Sequence, residues 1–109
     1  MEAGSKYCES ISLPNALGIR NVSDLHKLIT EKLRNNDNVI FEIPGEADAD
    51  LSFVQLIEAT RKQAKASGKS VALSAPANGS VLRVLERGGF VEAFSAEDAR
   101  FWLHQEVRQ

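Results

Sequence analysis

Apolar residues recur along this chain with two spacings. Leu25, Leu28, Ile29 and Leu33 stand at i, i+3, i+4 and i+8, the stripe of a helix with one buried face. Phe53, Leu56, Ile57, Thr60 and Ala64 repeat that spacing in a second helix. Val81, Leu82, Val84 and Leu85 supply a shorter third. Ala96, Ala99, Trp102, Leu103 and Val107 share one side of a terminal helix over 96–107, with Phe101 about opposite by the 100° helical step. Between these lie apolar runs too short for helices. Val39-Ile40-Phe41 and Ser70-Val71-Ala72-Leu73-Ser74 read as buried strands. Residues 7–13 alternate weakly, with Tyr7, Glu9, Ile11 and Leu13 against Cys8, Ser10 and Ser12, and 16–19 form a second short strand. With Pro14-Asn15 as a turn, these two are expected to pair as a hairpin.

Polar residues punctuate this pattern. Asn21 with Asp24 three residues on approximates a capping box, and Asn35-Asn36-Asp37-Asn38 stops the first helix. Pro44-Gly45 ends the Val39 strand. Asp50 is a fitting N-cap for the second helix, Arg61, Lys62 and Lys65 oppose its C-terminal dipole, and Gly68 suits the left-handed residue after it. Residues 76–79 turn into a helix that begins at Asn78 or Ser80 and ends at Gly88-Gly89. Ser95-Ala96-Glu97-Asp98 is a second capping-box start. Residues 1–6 are small and polar, a loose end. Strand and helix alternate, which predicts an α/β fold with parallel strands across each crossover and antiparallel character from the hairpin.

Composition narrows the class. The 109 residues suffice for one domain with one core. A 43% apolar and 26% charged content is that of an ordinary globular chain. Thirteen basic and fifteen acidic residues, net charge −2, give no nucleic-acid footprint. The lone Cys8 excludes an internal disulfide and a Cys-rich zinc site. No apolar stretch approaches the roughly 20 residues that span a bilayer, and no signal-peptide pattern opens the chain, so the cytoplasm is the expected location.

The most chemically marked stretch is 42–55. Glu42, Glu46, Asp48 and Asp50 place four carboxylates within nine residues, ahead of or at a helix start. Asp50-Leu51-Ser52-Phe53-Val54-Gln55-Leu56 resembles the central motif of STAS domains, the sulfate-transporter and anti-sigma-factor-antagonist family. The resemblance extends over about residues 11–90. It takes in Asn21-Val22-Ser23-Asp24-Leu25 at the first helix, Gly68-Lys69 before a strand and a final Gly89-Phe90. It implies one STAS-like domain over 1–109, a mixed sheet of four to five strands and about four helices. It also implies a non-enzymatic, cofactor-free module in a bacterial-type regulatory pathway that docks a regulatory protein, such as an anti-sigma-factor or kinase-like ATPase. Leu51 stands where the family carries its phosphorylated hydroxyl, and Phe53 where it carries glycine. Phosphate is therefore not expected at position 51, and Ser52 is the neighbouring hydroxyl left for modification. The expected contact surface is Gly45, Glu46, Asp48 and Asp50 with the outer side of Leu51, Ser52, Val54 and Gln55. Two alternatives stay open: a STAS subunit of a membrane lipid-transport ATPase complex, and a small-ligand or nucleotide-binding protein using the acidic loop.

Other chemistry fails on spacing. Gly68-Lys69-Ser70 resembles the end of a phosphate-binding loop, but the glycine required five residues earlier is Gln63, and the segment runs from helix to strand. Asp48-Ala49-Asp50 starts like a calcium loop, whose sixth and twelfth positions are here Phe53 and Ala59. His26 and His104 lie on separate helices as surface histidines without metal-ligand spacing. Cys8 is read as a buried or incidental thiol, and no catalytic or metal constellation emerges. Phe101 is expected to be exposed or covered by a second copy, which leaves a monomer and a weak homodimer as the two states.

Overall fold

A computed structural model describes residues 8–105. In chain order the elements are β1 (Cys8–Ser12), β2 (Ala16–Leu17), α1 (Val22–Asn35), β3 (Asn38–Glu42), β4 (Asp48–Ala49), α2 (Leu51–Ala66), β5 (Ser70–Leu73), α3 (Gly79–Arg87), α4 (Phe90–Ala93) and α5 (Ala96–Leu103). The fold is α/β. The strands form a three-stranded sheet in the order β1-β3-β5 and a two-stranded ribbon of β2 and β4, with every pairing parallel.

The expected N-terminal hairpin, and with it the single mixed sheet, is not formed. Ser12 pairs with Glu42, and two residues beyond each of them stands a proline, Pro14 and Pro44. A proline has no N–H for a ladder, so the pairing breaks at the same level on both strands. On the β3 side a turn follows, closed by the Ala47 N–H on the Pro44 carbonyl. Leu13 N–H still donates to the Glu42 carbonyl, and the ladder resumes with Asp48 N–H on the Asn15 carbonyl and Asp50 N–H on that of Leu17. Thus β2 pairs in parallel with β4, as β1 does with β3, and no hairpin joins β1 to β2.

Side chains alternate across the main sheet. Ile11, Phe41 and Leu73 stand level on its inner face, with Val39 and Val71 in the row beside them. These pack into one core with Leu25, Ile29 and Leu33 of α1, Phe53, Val54, Leu56, Ile57 and Ala64 of α2, Val81 and Leu85 of α3, and Trp102 of α5. Thr60, buried on α2, returns its hydroxyl to the Leu56 carbonyl. The opposite face carries Ser10, Ser12, Asn38, Glu42, Ser70 and Ala72, all exposed, with Ile40 half-buried between Ser10 and Ala72. β5 is an edge strand in which only Leu73 is fully buried, so it is not the buried strand expected from its apolar run.

Helix ends met and missed the expectations. Asp50 caps α2, Gly68 follows it at φ +73°, and Ser95 with Asp98 forms a complete capping box on α5. Asn21 makes no side-chain cap, because its own backbone is already helical (φ −108°, ψ −4°) and the side chain cannot fold back over the first turn. Gly88-Gly89 ends α3 as expected, but the chain then makes the short α4, giving five helices among the described residues. α5 stops at Leu103. Tyr7 and Val107, assigned above to the first strand and the terminal helix, lie outside the described residues. Among those described, no helix is long and apolar enough to cross a membrane.

Candidate docking site

The start of α2 is assembled around one carboxylate. Asp50 holds an extended backbone (φ −130°, ψ −173°), which turns its side chain back over the helix's unpaired amides. Oδ1 accepts the Ser52 N–H at 3.0 Å and the Ser52 hydroxyl at 2.5 Å. Oδ2 accepts the Ile19 N–H at 3.0 Å. The Ser52 hydroxyl, helped by the backbone donors of Ile19, Ser52 and Phe53, holds the Asp50 carboxyl below its ordinary range against the opposing effect of burial. A side chain at Gly18 would place its Cβ 3.0 Å from Asp50 Oδ2, so glycine lets the 18–21 turn settle on the cap. Ser80 fastens the other side: its hydroxyl accepts from Ala49 N–H at 2.9 Å and donates to the Ala49 carbonyl at 3.1 Å.

This tether joins the turn that carries Ile19 to the start of the helix that carries Leu51, thirty-two positions on in sequence. Ile19 is 69% exposed and Leu51 46% exposed, and among the described residues they are the large apolar side chains left in water. Ile19 also lines a depression of about 500 Å³ formed by residues 15–21 with Glu46, Asp48 and Asp50. Of the expected surface, Gly45, Glu46, Asp48, Leu51 and Gln55 are exposed, and Asp50 and Ser52 half-buried. Val54 is a correction. It is fully buried, because α2 packs against α1, β4, β5 and α3 over an arc too wide to leave it outside. Ile19 was missed, since it reads in sequence as the end of a short strand.

The other candidates resolve within the chain. Glu42 accepts from the Ser12 hydroxyl at 2.8 Å and Asp50 is committed to its cap, so the four carboxylates do not converge. Among the described residues no group of three or more His, Cys, Asp or Glu is placed to hold a metal. Cys8 is exposed at the start of a strand, not buried. His26 is exposed on α1, and His104 Nε2 lies 3.0 Å from the Leu73 carbonyl on the sheet edge. Phe101 is also a correction: it is half-buried, covered by its own chain's Arg61, whose guanidinium sits 4.4 Å from the ring centroid, and edge-on to Trp102. A further depression of about 500 Å³ lies between α2, β5 and α5. Of its cations, Arg61, Lys65 and Lys69 are engaged by Glu58 and Asp98, by Glu97, and by the carbonyls ending α1.

Compared with protein-family models, with curated proteins and with solved structures, the chain matches none.

Proposed function

We propose that this chain is a non-enzymatic protein-interaction module of the STAS type, acting in the cytoplasm. It docks a regulatory protein of the kinase-like ATPase class through the N-terminal end of α2. One observation carries the reading: Ile19 and Leu51, on two segments joined by the Ile19 N–H to Asp50 hydrogen bond, stay in water while every other large apolar side chain described is at least partly covered. An apolar pair in a polar surround, held on a capped helix and a pinned turn, is a rigid anchor for association. The role of Asp50 here is structural. The Ser52 hydroxyl is held by that same carboxylate, so a kinase would have to break the cap to reach it, and position 51 carries no hydroxyl at all.

The test is recovery of bound proteins from the source cells with the wild type and with Ile19→Glu/Leu51→Glu as bait. A partner retained by the wild type and lost by the variant supports docking at this end of α2. A partner retained equally by both removes the site. Intact-mass measurement after incubation with the recovered kinase checks the second point: stoichiometric phosphate on a residue distant from α2 would overturn this reading of the loop.

A further inference from the structure

We infer that the docking site is built for a cationic segment: a partner stretch that presents an apolar side chain flanked by Lys or Arg. This rests on the docking reading above and names the chemistry of the occupant. The depression that Ile19 lines, next to the helix start that carries Leu51, sets Glu46, Asp48 and Asp50 against one cation, Arg20. Asp50 already accepts from Ile19 and Ser52. Glu46 and Asp48 are exposed, and among the described residues neither side chain has a hydrogen bond or ion pair of its own. Their charge is therefore available to something outside the chain. Asp48 holds its place on β4, where the backbone is paired to Asn15 and Ala16, so it is aimed by a ladder rather than by a free loop.

Two uncommitted carboxylates beside an apolar pair select partners by sign. A cationic segment gains attraction at the rim while its apolar side chain covers Ile19 and Leu51, and an acidic segment meets repulsion. A second copy of this chain would bring the same carboxylates against themselves, so self-docking through this face is disfavoured.

The experiment selects a random linear peptide library, displayed on phage, on the wild type. Peptides that also bind Ile19→Glu/Leu51→Glu are depleted, with Ile19→Ser and Leu51→Ser as the depletion targets if the double variant does not fold. The strongest synthetic peptide is then titrated against the wild type and against Glu46→Lys/Asp48→Lys, at low and high salt. The expected peptides carry Lys or Arg beside an apolar residue, and their binding weakens by about ten-fold or more on charge reversal and in high salt. Peptides that depend on Leu51 but are neutral or acidic, or that tolerate charge reversal, overturn this inference and leave the docking surface standing. If no selected peptide depends on Ile19 and Leu51, both the inference and the docking surface fall.

Discussion

The two ends of α2 are finished in different ways. At its N-terminal end the Asp50 carboxylate caps the helix and pins the 18–21 turn, and the apolar side chains on these two segments, Ile19 and Leu51, are left open. Toward its C-terminal end Glu58 and Arg61 reach α5. Glu58 accepts the Trp102 indole N–H at 2.7 Å, Arg61 bridges Glu58 and Asp98 at 2.9 and 3.0 Å, and its guanidinium lies over Phe101. There Trp102 is fully buried and Phe101 half-buried against its own chain. Both ends use a carboxylate, backbone donors and apolar side chains, yet only one is closed. The fold covers apolar residues toward one end of α2 and leaves Ile19 and Leu51 open at the other, and the docking proposal rests on that difference.

The contrast breaks most severely at Trp102. It is fully buried at the α5 end, and Trp102→Ala should lower unfolding free energy by about 3–5 kcal/mol, read by urea denaturation. A loss near zero would mean that α5 is not fastened to α2. Asp50→Ala comes next, at about 1–2 kcal/mol, since it removes an N-cap and leaves the Ile19 N–H without its acceptor. Asp50→Asn should recover part of this, because an amide oxygen still accepts. Arg61→Ala should follow at about 1 kcal/mol: its side chain is only 13% exposed, but its carboxylate partners are about a third exposed and screened by water. Reduced protection of α5 amides in hydrogen exchange would show where that loss falls.

Acid should expose a smaller difference. Burial pushes the Asp98 carboxyl up, but the Ser95 N–H and the Arg61 guanidinium outweigh it and hold it below the ordinary range, while Asp50 is lowered chiefly by the Ser52 hydroxyl. A carboxyl lowered in the folded state stabilises fully above its unfolded pKa. That contribution is lost as pH falls through the unfolded value toward the folded one. Stability should therefore be flat near neutrality and decline below about pH 4–5, where unfolded carboxyls begin to bind protons. Arg61→Ala should flatten the Asp98 share of the decline and leave the Asp50 share. A decline unaltered by both Arg61→Ala and Asp50→Asn would assign it to other groups.

What the sequence disclosed was local. The stripe of Leu25, Ile29 and Leu33, the Asp50 cap and the Ser95-Asp98 box depend on residues a few positions apart, and all appear as their spacing implies. What it hid depends on distant partners. The 7–13 and 16–19 strands look like a hairpin until β3 and β4 are alongside, because pairing direction is not written in either strand. Val54 sits one helical step from Phe53 and looks outward-facing until α2 is packed on several sides. Phe101 looks exposed because the Arg61 that covers it lies on another helix. The docking site was half legible for the same reason. Leu51 could be picked out at a helix start, whereas Ile19 joins it only through the hydrogen bond to Asp50.

The most direct test sets binding against stability at the open end of α2. The recovered partner is titrated against the wild type and Ile19→Glu/Leu51→Glu, and urea midpoints are taken on the same samples. Both substitutions are at exposed positions, and Glu at position 51 lies in the first turn of α2, where negative charge suits the helix dipole, so the midpoints should agree within about 0.5 kcal/mol. The affinity should fall by about ten-fold or more, equivalent to about 1.4 kcal/mol. An unchanged affinity with an unchanged midpoint would contradict the account, because the two apolar side chains left open by the fold would then have no partner to meet.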